Sequence, residues 1–254
     1  MVKNLFTWTW RTIVAFLVGS VLLVVIYRVV PPAVTPLMAW RLVQAPFTGH
    51  RMTIQHRWVS YANISPSVFK AVMSGEDAGF LRHEGIDWKA VERAQKANPG
   101  RVKRGKPPLG ASTITMQTAK NVFLVPWRSL VRKAFEFYFT YLIEALWGKQ
   151  RILEVYVNMI EWGDGIYGIQ AASRFYFNKD ASTITAVEAA RLAAVVPNPR
   201  RFNAGAPSNY TKKRQSFIQG RMGGIAIPKR DTPKEQVTKR KKASTKKPEA
   251  SAPK

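Results

Sequence analysis

The most apolar stretch of the chain lies at its N-terminus. Residues 12–27 carry no charge, and Arg11 and Arg28 border them. A run of 16 residues is short for a bilayer crossing, which takes about 20. The adjoining apolar and aromatic residues lengthen it, however, and arginines at its ends can extend to the interface. Two prolines follow instead of a small-residue cleavage site, so the pattern favours an uncleaved membrane anchor in residues 1–33 over a removed signal peptide.

After the anchor, apolar residues recur mainly at helical spacing. Ser65 and Pro66 form a helix start, and the apolar face that follows ends at Glu76. Thr185 and Glu188 have the spacing of a capping box. Strand-like alternation is scarce, so residues 34–227 are predicted to form a mainly α domain. The predicted helices cover about 65–76, 129–147, 150–159 and 185–196, and the one fair strand candidate covers 51–59.

Two segments lack the pattern of regular structure. Residues 97–110 contain three prolines, three glycines and four basic residues, which predicts a loop. Residues 228–254 contain no aromatic residue and carry a net charge of +7, which predicts a disordered basic tail. Each segment has two interpretations. It could contact a phosphate, a polyanion or a membrane surface, or it could be exposed to solvent without a specific role.

Charge narrows the range of partners. The chain has 40 Lys and Arg against 15 Asp and Glu, a net charge of +25. Such a field attracts nucleic acid, an anionic membrane face or a phosphorylated substrate. The basic residues on the two sides of the anchor nearly balance, so charge leaves its orientation open.

The cysteine and histidine counts exclude several classes of site. With no cysteine, the chain has no disulfide scaffold, thiolate metal site or cysteine nucleophile. The three histidines form no zinc-protease pattern, so no metal ligand is predicted among the side chains.

Three polar clusters can carry chemistry. Glu76 ends an apolar helical face, and partial burial there would raise its pKa and suit it to proton transfer. The alternative is an ordinary carboxylate at a helix end. Gly110 and the small hydroxyl residues after it could bind an anion at a helix start, although many helix caps look the same.

The third cluster surrounds Glu136. Arg132 and Glu136 are neighbours on a helix, so a surface ion pair is the default interpretation. Together with Lys120, Arg128 and Lys133, however, Arg132 could bind a diphosphate. Two glutamates on separate helices beside such a group of cations indicate glycosyl transfer from a phosphate-activated sugar.

Five short sequence motifs, or blocks, occur along the chain in the same order as in a known protein family. They are EDAGFLRHEGID, GASTITMQTAKN, RKAFE, RILEVYVNMIEWGDGIYGIQAASRFYF and LAAVVPNPRRFN, beginning at residues 76, 110, 132, 151 and 192. The chain resembles the peptidoglycan glycosyltransferases, and within them the monofunctional biosynthetic transglycosylases, over about residues 64–203 and the anchor. The resemblance implies a lysozyme-like α domain that polymerises lipid II into β-1,4-linked glycan and releases undecaprenyl diphosphate.

The resemblance also assigns roles to residues. Glu76 matches the general base that deprotonates the acceptor 4-hydroxyl, and Glu136 matches the second essential glutamate near the leaving group. Matches to substrate-binding positions fall on the acceptor-side aromatic of the first block, on the second and third blocks, and on one arginine between those two: Phe80, Ser112, Thr113, Gln117, Lys120, Arg128 and Arg132.

Partners and location follow from the same resemblance. It implies lipid II and the growing glycan as substrates, and an inner-membrane protein with its domain in the periplasm of a Gram-negative cell. Other cell-wall synthesis proteins are candidate partners. A divalent cation, Mg²⁺ or Mn²⁺, is a candidate at the diphosphate, and no organic cofactor is expected.

Two other classes of function compete with this one. A membrane-tethered nucleic-acid-binding protein would fit the charge, but the sequence carries no nucleic-acid fold signature. A lytic hydrolase or a catalytically silent scaffold would fit the same blocks. A hydrolase, however, would use water as acceptor and would give the clustered cations no diphosphate to bind.

Overall fold

The fold is mainly helical, in a computed structural model that describes residues 2–127 and 129–228. Ten α-helices and a small three-stranded sheet are present within these ranges. The helices are α1 (Val2–Tyr27), α2 (Pro36–Thr48), α3 (Pro66–Glu76), α4 (Trp88–Lys103), α5 (Ile114–Phe123), α6 (Leu130–Leu146), α7 (Lys149–Met159), α8 (Ile169–Phe177), α9 (Ala186–Val195) and α10 (Asn209–Arg221). The strands are β1 (Gln55–His56), β2 (Glu161–Gly163) and β3 (Ile166–Tyr167).

The hydrophobic core surrounds α7. Its apolar side chains are fully buried, and α5, α6 and α8 pack against it. Helix α3 packs against α9 and α10, while α5 packs against α6. Strand β3 lies in the middle of the sheet, parallel to β1 and antiparallel to β2. This core fixes the C-terminal end of α3 near one face of α5.

The helix caps account for several boundaries. At α9 both halves of the predicted capping box form, with the Thr185 hydroxyl accepting from the Glu188 amide and the Glu188 carboxylate accepting from the Thr185 amide. Ser129 caps α6 through the Arg132 amide. Ser65 occupies the N-cap position of α3, but its side chain makes no capping bond there.

Helix α1 is the predicted anchor. Its segment Thr7–Tyr27 is long and apolar enough to cross a membrane, and most of its side chains are exposed, as lipid contact requires. One face of α1 packs against α6: the Phe16 ring lies 5.5 Å from that of Phe135, and the Ser20 hydroxyl lies 2.7 Å from that of Tyr138.

Contacts continue to the end of α1. The Trp147 indole donates to the Val24 carbonyl, and the Arg151 guanidinium donates to the carbonyls of Tyr27 and Val30. Helix α6 therefore lies along the anchor, and the domain is attached to α1 by packing as well as by the chain.

The loop prediction for residues 97–110 was wrong over its first half. Helix α4 begins at the Asp87 cap and continues through Pro99 to Lys103. A proline inside a helix removes one backbone hydrogen bond, but α4 buries only Ala94, so water can bond the freed carbonyl. The segment after the helix is attached to α4, because the side chain of Asn98 in the helix bonds both the amide and the carbonyl of Leu109.

The strand prediction for residues 51–59 was also too long, because only Gln55 and His56 pair with β3. Helices α2, α8 and α10 and the β2–β3 hairpin were not predicted. The tail predicted for residues 228–254 lies outside the described residues except for Pro228.

Candidate active site

Glu76 is the last residue of α3, at the point where the helix emerges from the core. Its two carboxylate oxygens have different partners. Arg214 of α10 donates to Oε1 at 2.7 Å, and Gln117 of α5 donates to Oε2 at 3.0 Å. Burial raises the pKa of Glu76, while Arg214, Gln117 and Lys120 oppose that rise without cancelling it. The carboxylate is thus fixed in place and is more basic than an exposed glutamate.

Asp77 locks the end of α3 to the start of α5. Its carboxylate accepts from His83 Nε2 at 3.0 Å and from the backbone amide of Ile114 at 3.0 Å. Both Asp77 and His83 are largely buried. The C-terminal end of α3, where Glu76 lies, is therefore bonded both to His83 and to the start of α5.

Glu136 is the centre of a second charged cluster. It is almost fully buried on α6, and its oxygens accept from Arg132 and Lys133, each at 2.6 Å. Lys120 on α5 interacts electrostatically with both Glu136 and Glu76. Burial lowers the pKa of Lys120, and these two glutamates oppose that shift. Lys120 therefore connects the two predicted glutamate sites.

Two recesses lie on either side of this arrangement. One, of about 290 Å³, is lined by Glu76, Asp77 and Ser112, among other residues. The other, of about 320 Å³, is lined by Gln117, Lys120, Asn121, Arg132, Arg41, Trp127 and Glu161, among others. The Gln117 side chain lines the second recess and bonds Glu76 of the first. The Glu76 carboxylate thus faces one recess, and Lys120, Arg132 and Arg41 face the other.

The second recess is lined by one arginine with an unused hydrogen-bond donor. The Nε atom of Arg132 is buried and makes no hydrogen bond among the described residues, whereas the Nε atom of Arg41 lies 3.5 Å from the Glu161 carboxylate. A buried cationic donor without a partner is unfavourable, so Arg132 favours an anionic ligand at this position.

The structure separates the predicted substrate-binding residues into two groups. Gln117, Lys120 and Arg132 line the second recess, and Ser112 is exposed in the first. Two other residues of the predicted set are buried. Phe80 is fully buried, with Lys149 Nζ 4.6 Å from its ring centre, so it cannot contact a substrate in this conformation.

Thr113 is also largely buried, although it lines the first recess. It is buried as the N-cap of α5, accepting from the Met116 amide and donating to the Gly85 carbonyl. Its hydroxyl is used to begin the helix, which is the ordinary role of a threonine at this position. Arg128 lies outside the described residues, so its assignment stays a prediction.

Two groups that contact Glu76, directly or through Gln117, were not predicted from the sequence. Arg214 stands in a Lys-Lys-Arg run that reads as solvated charge, and nothing in its spacing marks it as a partner of Glu76. Tyr156 lies between two valines in the sequence and reads as core; its hydroxyl nevertheless donates to Gln117 Oε1 at 3.2 Å.

The side chains do not fit a divalent cation held by the protein. Among the described residues, no three histidine or acidic side chains gather as metal ligands. Both oxygens of Glu136 are bonded to cations, and Glu161 stands beside Arg41 in the second recess. Two carboxylates, each already paired with cations, do not form an oxygen-rich magnesium site, so we derive no step through a metal.

Comparison with known proteins identifies the family. A family model described as transglycosylase matches residues 45–223. Three relatives bear the name biosynthetic peptidoglycan transglycosylase. That of Rhodospirillum centenum is 49% identical over 228 residues, covering 87% of this chain and 92% of the relative. That of Bdellovibrio bacteriovorus is 47% identical, covering 89% of each chain. That of Bacteroides thetaiotaomicron is 43% identical, covering 92% and 97%. This chain therefore belongs to the transglycosylase family and is a glycosyltransferase.

Proposed function

We propose that the protein polymerises lipid II into the β-1,4-linked glycan strands of peptidoglycan and releases undecaprenyl diphosphate. The observation that carries this proposal is the pairing of a buried, positioned base with a separate cationic recess. Glu76 fits proton removal from a sugar hydroxyl, and Lys120 and Arg132 fit a diphosphate. The names of the relatives supply the polymer, peptidoglycan.

The proposed reaction is a single displacement. The acceptor 4-hydroxyl gives its proton to Glu76, and its oxygen forms a bond to C1 of the growing chain. The bond between C1 and the diphosphate oxygen breaks on the opposite face, so an α-linked donor gives a β-linked product. Negative charge grows on the leaving diphosphate, and the ammonium and guanidinium groups of Lys120 and Arg132 stabilise it there.

In this proposal Glu136 keeps the cations in place. It is almost fully buried and paired with Arg132 and Lys133, so it holds their side chains beside Lys120. It also offsets part of the mutual repulsion of these three cations when no substrate is bound.

The packing of α6 on α1 supports a site at the membrane surface. Trp127, Leu130 and Val131 are exposed at the start of α6, on the domain that the anchor holds. Apolar side chains of this kind suit insertion into a bilayer beside α1. We place the domain on the periplasmic side of the inner membrane, where the diphosphate of a lipid-linked sugar would reach Lys120.

The test is polymerisation by the purified full-length protein in detergent. Lipid II should be converted into long glycan that lysozyme digests. A lytic enzyme would instead degrade preformed glycan and leave lipid II unchanged, and a silent scaffold would do neither. Either of those outcomes contradicts the proposed function.

A further inference from the structure

Gln117 joins two residues by hydrogen bonds of opposite direction. Its Nε2 donates to Glu76 Oε2 at 3.0 Å, and its Oε1 accepts from the Tyr156 hydroxyl at 3.2 Å. The three side chains come from three different helices, α3, α5 and α7. They form a short chain of hydrogen bonds that begins in the core and ends on the base.

An amide can point either way, and only one orientation serves a carboxylate. With the nitrogen toward Glu76, the amide donates; with the oxygen toward Glu76, two acceptors face each other. The first orientation turns the carbonyl oxygen of Gln117 inward, where it needs a donor. Tyr156 supplies that donor, so its hydroxyl stabilises the orientation in which Gln117 donates to Glu76.

We propose that Tyr156 is a positioning residue for the glycosyl transfer, acting through Gln117 to hold the carboxylate of Glu76. This inference rests on the proposed function, because it assumes that Glu76 is the base. Tyr156 cannot act by touching the substrate, since its side chain is fully buried in the core.

The hydroxyl of Tyr156 remains a donor across the working pH range. Burial raises the pKa of Tyr156 well above its ordinary value, and the charges of Glu76 and Asp77 raise it further. The proton in the bond to Gln117 therefore stays on the tyrosine while Glu76 titrates.

The other groups that face Glu76 do not replace this contact. Arg214 approaches the opposite oxygen, Oε1, from α10. Lys120 acts on Glu76 from α5 through its charge, and Asp77 is occupied by His83 and a backbone amide. Among the described residues, Gln117 is the donor to Oε2, and Tyr156 is the donor behind it.

The test is Tyr156→Phe, which removes one oxygen and keeps the ring. An unpaired buried carbonyl should loosen Gln117, and kcat should fall about tenfold with little change in KM. Because the bond from Gln117 lowers the pKa of Glu76, its loss should raise that pKa. The acid limb of the kcat profile should then move to higher pH.

A double variant and a control make the result specific. Gln117→Ala should reproduce the shift, and adding Tyr156→Phe to it should cause no further loss. Tyr167→Phe is the matched control: Tyr167 is also buried, but its hydroxyl has no partner among the described residues. It should keep the wild-type kcat and pH profile.

Three results would overturn the inference. The first is a Tyr156→Phe enzyme with wild-type kcat and pH profile. The second is a loss that adds fully to that of Gln117→Ala. The third is a lowered melting temperature and lower kcat without a shift of the acid limb, which would mark a purely structural role. If the wild type and Tyr167→Phe also fail to polymerise lipid II, the proposed function itself has failed.

Discussion

Glu76 occupies an environment in which two effects oppose each other. Burial favours the neutral acid, whereas Arg214, Gln117 and Lys120 favour the carboxylate. Burial prevails and the pKa is raised, which strengthens the base, while the cations keep the carboxylate populated. A carboxylate with a raised pKa accepts a proton more readily than an exposed glutamate does, which suits it to proton transfer.

The first prediction is that Glu76→Gln abolishes polymerisation. The amide fills the same space but cannot take a proton, so the rate should fall by about 10²–10⁴-fold. Initial rates on lipid II measure this, with circular dichroism and substrate binding to show an intact fold. Asp180→Asn, a change to an exposed carboxylate that lines neither described recess, should leave the rate unchanged. Substantial activity in a folded Glu76→Gln enzyme would place the base elsewhere.

The second prediction concerns pH. Glu76 must be ionised to act as a base, so the rate should drop as pH falls through its raised pKa. Arg214 lowers that pKa; Arg214→Gln should therefore raise it and move the acid limb of the kcat profile to higher pH. Arg191→Gln, which removes a cation that lies over the Phe177 ring, serves as the control. An acid limb that stays in place or moves to lower pH would contradict this account.

At the residue scale, the sequence predicted neighbours along a helix better than contacts between distant segments. The carboxylate at the end of an apolar helical face marked Glu76, and helical spacing paired Arg132 with Glu136. Arg214 lies 138 positions from Glu76, and only the packing of α10 on α3 brings the two together. No local pattern encodes such a contact.

At the scale of elements, the strongest patterns gave the right helices. The capping box predicted the start of α9, and the long aromatic run predicted α6. Pro99 misled the prediction because a proline penalises a helix interior only where the lost hydrogen bond cannot be replaced. Strand β1 is shorter than predicted because only two of its residues pair with β3, a strand that lies more than 100 positions later in the sequence.

The third prediction tests the contact of α1 with α6. Deleting residues 1–30 should uncover Phe135, Tyr138 and the Trp147 indole, so the domain should need detergent to stay dispersed. Turnover should persist on lipid II in detergent but fall on lipid II in liposomes, because the anchor raises the effective concentration at the bilayer.

Size-exclusion chromatography and initial rates on both substrates measure these two effects. Ser20→Ala is the control, since it removes one hydrogen bond and keeps the anchor. Equal rates for the two forms on liposomes would show that the anchor has no part in substrate encounter.

For the whole molecule, we propose that the net charge of +25 has two separable roles. Charge at the surface and in residues 228–254 would attract anionic lipid and would be screened by salt. In the proposed reaction, charge in the second recess acts on the leaving group, because Lys120 of α5 and Arg132 of α6 are partly buried there.

The fourth prediction uses that separation. Lys120→Ala should lower turnover even at saturating lipid II, because the lysine stabilises charge that grows in the transition state. Deletion of residues 228–254 removes a charge of +7 but should change only membrane association and its salt dependence. Rates and liposome binding between about 50 and 200 mM salt measure both. Identical, salt-dependent losses in the two variants would contradict a diphosphate site at Lys120.

The contact between α6 and the anchor also has a consequence for how the lipid carrier and the glycan separate after the reaction. The cationic recess faces the start of α6, beside α1, while Glu76 opens into the other recess. In the proposed reaction, the spent lipid carrier would diffuse away in the plane of the bilayer, whereas the lengthened sugar chain would extend into the aqueous phase. The two products would then be diluted in different phases, and their recombination, the reverse reaction, would become rare without any further energy source.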